Sequence, residues 1–495
     1  MEEYINKLLE QIRFRKAHKA IGDEIRLHIE EQISENISEG MDKETAEKRA
    51  VEDMGDPVDA GIALDKVHRP QIAYGVIIIA IALGILGVIV NVLLHRFDAT
   101  DCYDSQILVF PVFLFHGIID SAVIYILGAL CGIIVMLLLY LIDYTTVAKY
   151  SKVAAITILV SGAIAAFINY KYEMHMNMLY TMRKAYIGYY YDTPLWYTWG
   201  NKIFGWSHTM FFCMVPIFAG ILYKFRGQKS RAVSKAILLI IATSAIAFKL
   251  IGIYDAAVIA ICMLVELTIA IKKEWIKIPK VPTLISIWSL FTVGPAVLIW
   301  YIYKNLDFFH QKGLVGLDEM QSFKSGLTAY DSGEAGRILS GMKLIGSSRI
   351  SSFGGRYTIP ASNLVRGGGR SVLIDMVALW GLLVSVVAII AVLALIVYGF
   401  VTVSKTKNQL GIVMGSGSMM WLAVNTICNV FYEFGILPGV CSDSIFPFIS
   451  LCNPIASYAL LGIILSIYKY KNAYSQHVDI AIKPVGIKVR RLDRD

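Results

Sequence analysis

The stretch QIAYGVIIIAIALGILGVIVNVLLH, at residues 71–95, decides the fold of this chain. It contains no Asp, Glu, Lys or Arg, and a helix of about 20 apolar residues is long enough to cross the hydrocarbon core of a bilayer. Of the 495 residues, 56% are hydrophobic and 17% are charged, compared with about 25% charged residues in soluble domains. A soluble globular protein is therefore excluded. Further apolar blocks follow at residues 119–142, 152–170, 206–224, 234–253, 255–272, 284–303, 373–402, 409–433 and 445–469.

These blocks predict an all-α polytopic membrane protein of about ten transmembrane helices. Residues 1–70 hold 11 Lys and Arg and 17 Asp and Glu, a net charge of −6, whereas the rest of the chain has a net charge of +14. The basic excess lies in short segments between apolar blocks, which is the pattern of the positive-inside rule and not of a nucleic-acid surface. We therefore expect a multi-pass protein of the cytoplasmic (plasma) membrane with both termini in the cytoplasm, and no nucleic acid as a partner.

This division predicts three parts. Residues 1–70 are expected to be a small cytoplasmic helical domain, residues 71–474 the ten-span membrane domain with an external loop at 304–370, and residues 475–495 a basic cytoplasmic tail. The charged N-terminus has a helical pattern and predicts no cleavable signal peptide. Seven cysteines form no CxxC pair, so no metal site and no resident cofactor are predicted, and a divalent cation stays open.

The first 70 residues carry a helical apolar pattern, in which Ile21, Ile25, Ile29, Ile33 and Ile37 form one ridge at four-residue spacing that we expect to face a partner. The segment resembles the permease prefix domain that precedes polytopic proteins in Gram-positive bacteria. The resemblance rests on EIRLHIEEQ at 24–32, AVEDMGDP at 50–57 and LDKVHRP at 64–70. It implies docking or regulation.

Four stretches of the membrane part resemble the SEDS family (shape, elongation, division and sporulation; the FtsW, RodA and SpoVE group). They are PIFAGILYKFRGQ at 216–228, the span from Ile253 to Trp275, GRILSGMKLIG at 336–346 and NVFYEFGILPGVCSDSIFPFIS at 429–450. The resemblance implies a peptidoglycan glycosyltransferase that polymerises lipid II outside the cytoplasmic membrane. It also implies a class B penicillin-binding protein and other divisome or elongasome membrane proteins as partners.

Glycosyl transfer needs a carboxylate that takes a proton from the acceptor hydroxyl at the outer membrane face. In the family this Asp stands eleven residues before a glycine; if Gly381 is that glycine, its place is taken here by Arg370. The nearest carboxylate is Asp375, with Glu334 and Asp331 behind it. Asp375 is therefore the candidate catalytic base, and a structural carboxylate bonded to a neighbouring helix is the alternative.

A pyrophosphate leaving group needs cations or backbone N–H groups nearby. The candidates for substrate binding are the basic residues of the external loop, Arg337, Lys343, Arg366 and Arg370; a solvated loop face is the alternative. Two ionisable residues at membrane depth, Glu266 and Lys249, are expected to be paired or to snorkel to the interface.

Three functions follow. The first is a divergent SEDS protein of peptidoglycan synthesis in division, elongation or sporulation. The second is a catalytically inactive membrane scaffold or lipid II-binding regulator of a penicillin-binding protein. The third, a small-molecule permease, is disfavoured because no paired half-helices are evident in the sequence.

Overall fold

The computed structural model describes residues 1–95, 121–185, 210–251, 253–305, 341–347, 349–351, 358–360, 372–433, 448–449 and 454–478. Within these ranges the chain is helical, apart from a two-stranded antiparallel hairpin of β1 (Arg349–Ser351) and β2 (Thr358–Pro360). The predicted all-α fold is confirmed, since a helix lies at the position of each of the ten apolar blocks.

Four α-helices form the N-terminal part: α1 (Glu2–Glu10), α2 (His18–Ser38), α3 (Lys43–Asp53) and α4 (Pro57–His68). Two of them begin at aspartate caps, because the Asp42 carboxylate accepts a hydrogen bond from Thr45 N and the Asp56 carboxylate accepts one from Val58 N. The isoleucine ridge of α2 faces the core of this part at Ile21 and Ile29, which are 1% and 0% exposed. Only its last member, Ile37, is well exposed, so the ridge mainly packs the N-terminal part itself.

The remaining helices occupy the apolar blocks. They are α5 (Tyr74–His95), α6 (Ser121–Leu141), α7 (Tyr144–Ala185), α8 (Met214–Lys224), α9 (Arg231–Ile251), α10 (Ile253–Lys272), α11 (Lys280–Lys304), α12 (Val372–Trp380), α13 (Leu382–Ser404), α14 (Gln409–Glu433) and α15 (Pro454–Lys469). Five of them, α5, α7, α9, α13 and α14, are long and apolar enough to cross a membrane over the part of the chain described here. Shorter apolar helices accompany them.

Helix α14 is the centre of the bundle. It packs against α8, α10, α13 and α15. Within its apolar 18-residue segment 67% of the residues are buried, compared with 33% in the corresponding segment of α13. Its mean hydropathy, 1.4, is also lower than the 2.9 of α13. A helix that is surrounded by protein tolerates polar and small residues that a lipid-facing helix does not.

The N-terminal part docks on one end of the bundle, which we call the prefix end. Lys16 Nζ donates to Asp143 Oδ2 at 2.7 Å, in the turn between α6 and α7. The Phe14 ring stacks on Tyr470 at 5.7 Å between centroids. Asn472 Nδ2 donates to the Val67 carbonyl at 2.9 Å, so the chain after α15 lies at the same end.

The carboxylate of Asp143 is the polar centre of this dock. Burial by itself raises the pKa of Asp143, but hydrogen bonds from Lys16, Tyr474 and Thr145 N, and the nearby Lys16 charge, outweigh it and hold the pKa below its ordinary value. Asp143 therefore stays ionised in the dock, and its ionised carboxylate stabilises the docked arrangement of the N-terminal part.

The eighth block is not one continuous span, and this part of the sequence prediction was wrong. The block predicted at 373–402 is divided at Gly381 into α12 and α13. Ser385 Oγ donates to the Leu373 carbonyl at 3.2 Å, although 12 residues of straight helix would separate them by about 18 Å. Helix α12 therefore folds back against the start of α13.

Replacing Lys16 with Met should loosen the dock. The change leaves the Asp143 carboxylate without its cationic partner, and we expect a cost of about 1–2 kcal/mol because Lys16 is partly solvated. Amide hydrogen exchange in residues 13–17 should become faster in the full-length protein, with little change in α14. The matched control is Lys7→Met, which breaks the exposed Lys7–Glu3 pair and should leave exchange at 13–17 unchanged; equal exchange in both variants would contradict the dock.

Candidate functional site

The bundle has its clearest irregularity at the end away from the dock, where the chain reverses at Gly381. This residue has φ 97° and ψ 168°, a conformation that side-chain-bearing residues rarely adopt. A Cβ atom here would lie 2.8 Å from the Leu344 carbonyl oxygen and 2.9 Å from Ile345 Cα. Glycine is thus required twice, by the backbone angle and by the close approach of another segment.

That segment, residues 343–346, satisfies the backbone groups that the break leaves open. The carbonyls of Lys343 and Leu344 accept the N–H groups of Leu382 and Leu383 at 3.0 and 3.1 Å, and Gly346 N donates to the Trp380 carbonyl at 3.0 Å. A helix interrupted at membrane depth leaves such groups without water, so each needs a protein partner. The GRILSGMKLIG stretch and Gly381, both singled out in the sequence, therefore meet here.

Asp375, the sequence-predicted catalytic base, lies in the first turn of α12. Every residue from Val372 to Leu379 is buried, and Asp375 is 6% exposed. A carboxylate in the first turn of a helix is favoured by the helix dipole. This placement suits a structural carboxylate, and the catalytic role of Asp375 stays a prediction.

Of the four basic residues predicted to bind a pyrophosphate, only Lys343 lies within the described residues. Its side chain is exposed, and its backbone joins the start of α13. Arg337, Arg366 and Arg370 lie outside the described residues, as do Glu334 and Asp331. Among the residues that the structure covers, no three His, Cys, Asp or Glu side chains are grouped as metal ligands would be.

Ile449, within the PFIS stretch, is held by a residue that the sequence analysis missed. Asn91 Nδ2 of α5 donates to the Ile449 carbonyl and, at 2.7 Å, to the Gly87 carbonyl. A side chain at Gly87 would overlap the Phe448 carbonyl oxygen. In the sequence, Gly87 and Asn91 stand four residues apart in an apolar block, so they lie on one face of the helix. This pair of a small and a polar residue is the pattern that could have indicated the contact.

A second carboxylate lies inside the bundle, at Glu266 of α10. It is 0% exposed, and neither carboxylate oxygen has a hydrogen-bond partner among the described residues. The expectation that Glu266 would be paired or would snorkel was wrong. The carboxyl group occupies the space beside Gly417 of α14, where any side chain would overlap it.

Comparison with known proteins agrees with this architecture. A chain from the solved structure described as "Structural coordination of polymerization and crosslinking by a peptidoglycan synthase complex" is similar with a TM-score of 0.52 and 14% sequence identity. The match covers 81% of this chain and 99% of that chain. No family model and no curated protein matches the sequence. At this identity the match shows the fold, and the chain is an all-α polytopic membrane protein that shares it.

Replacing Gly381 with Ala should destabilise the far end of the bundle. The positive φ alone costs about 1–3 kcal/mol in a residue with a Cβ, and the contact with residues 344–345 adds to it. The apparent Tm in detergent should fall. Gly294→Ala is the matched control, because a Cβ there meets nothing within 4 Å and alanine favours a helix by up to about 1 kcal/mol. A Gly381→Ala protein as stable as the control would contradict the described break.

Replacing Gly417 with Ala should destabilise the protein only while Glu266 is present. The new methyl group overlaps the Glu266 carboxyl, and removing that side chain in Glu266→Ala makes room for it. A double-mutant cycle on thermal unfolding should therefore give a coupling energy of about 0.5–3 kcal/mol. Gly128→Ala, which meets nothing within 4 Å, should show no coupling to Glu266; equal coupling at both glycines would refute the contact.

Proposed function

We propose that this chain is a divergent SEDS-type membrane protein of peptidoglycan synthesis. The observation that carries the proposal is the shared fold with a chain of a peptidoglycan synthase complex, which extends over nearly all of that chain. It is supported by the junction at Gly381, where residues 343–346 of a SEDS-like stretch form backbone hydrogen bonds with Trp380, Leu382 and Leu383 of the eighth block.

The proposed orientation puts the prefix end in the cytoplasm of a cell with a plasma membrane and a wall outside it. Basic residues cluster in the turns at this end, as the positive-inside rule requires. They include Lys224, Arg226, Lys229, Arg231, Lys272, Lys273, Lys277, Lys280, Lys405, Lys407, Lys469 and Lys471. The break at Gly381 then faces the outer leaflet, where lipid-linked wall precursors are joined.

The proposed ligand is lipid II, an anionic pyrophosphate lipid. Residues 304–370 carry nine Lys and Arg against five Asp and Glu, and such an excess attracts an anionic head group. Lys343 is placed beside the break and is a candidate contact, together with Arg337, Arg366 and Arg370. The proposed protein partner is a class B penicillin-binding protein, with other divisome or elongasome proteins around it.

A second function is favoured by a specific observation. If Gly381 is the family's glycine, Arg370 occupies the position of the family's Asp, and Asp375 lies on a helix that is buried from Val372 to Leu379. A general base must come within hydrogen-bond reach of the acceptor hydroxyl. The second candidate is therefore a scaffold or regulator that binds lipid II and a penicillin-binding protein without polymerising.

A lipid II polymerisation assay on the purified protein, with and without its co-purified penicillin-binding protein, tests both. If Asp375 is the base, Asp375→Ala should lose glycan product, and a loss on the order of 100-fold or more is the usual effect of removing a general base. Asp375→Asn is the second variant, because it keeps the shape of the side chain but replaces the proton-accepting carboxylate with a neutral amide.

Lipid II binding separates an enzyme from a scaffold. A scaffold should bind fluorescent lipid II and its partner but give no glycan product, and Arg370→Asp should then restore some polymerisation. A protein that neither binds lipid II nor yields product, alone or with its partner, would rule out both proposals. Glu274→Gln is the control for activity lost during sample handling, because Glu274 is an exposed carboxylate at the prefix end.

A further inference from the structure

Glu266 lies inside the bundle, far from the region proposed for the chemistry. It stands six residues before the end of α10 at Lys272, which places it about 9 Å from the prefix end. Its side chain is fully buried, and α8, α9, α11 and α14 pack around its helix. A glutamate side chain is too short to reach the helix end from this depth, so it does not snorkel.

Within the described part of the chain, no positive charge is paired with this carboxyl. None of the described Lys, Arg or His side chains forms an ion pair with Glu266, which accepts no hydrogen bond either. The ionisable groups on the helices around α10 lie within five residues of a helix end. Among the side chains that the structure describes they are Lys224 and Tyr223 of α8, Arg231, Lys235 and Lys249 of α9, Lys280, Lys304 and Tyr301 of α11, and Cys428 of α14.

Its own helix offers three further ionisable groups among the described side chains, of which Lys272 is exposed at the helix end. Asp255 lies three turns away, and Cys262 one turn away, on the same side of α10 as Glu266. Cys213 immediately precedes α8, which also packs on α10. Asp255, Cys262 and Cys213 carry no positive charge, and the cationic Lys272 forms no ion pair with Glu266.

An ionised carboxylate in this position would be shielded from solvent, and no described residue gives it a counter-ion or a hydrogen-bond donor. Desolvating a charge without a partner is among the most costly changes in a protein, and a buried acid avoids it by taking up a proton. The protonated carboxyl is neutral and packs against the open backbone of Gly417. Ionisation would require water around the carboxyl, which is 0% exposed and lies against Gly417 of α14.

We propose that Glu266 is a proton-binding site within the membrane domain, and that its bound proton keeps α10 packed against α14. The ligand is a single proton, since the site lacks the several oxygen or nitrogen ligands that a metal ion needs. Release of the proton opens the contact between α10 and α14. Helix α14 also packs on α13, so this contact is continuous with the helix that begins at Gly381.

Infrared spectroscopy tests the protonation directly. The full-length protein with isotope-labelled glutamate should show the C=O stretching band of a protonated carboxyl group at neutral pH. The band should be lost in Glu266→Gln, which keeps the size and shape of the side chain. The matched control is Glu274→Gln, two residues beyond α10, because Glu274 is exposed and pairs with Lys280 at 2.6 Å. That variant should keep the band.

The native Cys262 reports on the opening of the contact. It is 0% exposed and should resist a thiol reagent at neutral pH, as read by mass spectrometry of its peptide. At alkaline pH it should become labelled in the wild type and in Glu274→Gln, but stay protected in Glu266→Gln. Comparison at equal pH removes the effect of thiolate formation itself.

Two outcomes overturn the proposal. The first is the absence of a protonated-carboxyl band in the wild type at neutral pH, which needs no variant to fold. The second is equal labelling of Cys262 in the wild type and in Glu266→Gln across the pH range, which would mean that the proton does not control the contact.

Discussion

The structure depends on one constraint, that a backbone N–H or carbonyl group in hydrocarbon must find its partner within the protein. Unbroken helices meet it without help. The eighth apolar block does not, because Gly381 turns the chain back and opens the ends of two helices. Residues 343–346 close them with three backbone hydrogen bonds. Residues 343–346 and the eighth block therefore form one hydrogen-bonded unit.

Close packing around α14 holds the helices of the bundle together. Lipid tails are as apolar as leucine, so helices in a membrane gain little from burying apolar surface and associate by close contact and polar bonds. Gly417 brings α14 against α10, and Gly415 brings it against Val403 of α13. The same small residues admit the Glu266 carboxyl. A polar, glycine-containing helix is thus able to occupy the centre of the bundle.

The dock at the prefix end ties the N-terminal helices to the turns of the bundle. Asp143, Tyr474 and Lys16 connect the α6–α7 turn, the chain after α15 and the N-terminal part. Further along, Val478 N donates to the Tyr223 hydroxyl of α8 at 2.8 Å. The N-terminal part and the chain after α15 are therefore both attached to the bundle at the prefix end.

Hydrophobicity alone determined the order and approximate positions of the apolar helices, because a long apolar block is unstable when it is exposed to water. Local signals also fixed the caps at Asp42 and Asp56. The resemblance of short stretches predicted a fold that the structural comparison supports.

The tertiary structure decided the rest. The sequence did not predict the break at Gly381, because a run of apolar residues has the same composition in a straight helix and in a helix that folds back. The unpaired state of Glu266 depends on which helices surround it, and the sequence does not specify neighbours that are 150 residues away, such as Gly417. Burial of Asp375 was likewise invisible, since it follows from the packing of α12 on α13 and not from any feature of its own helix.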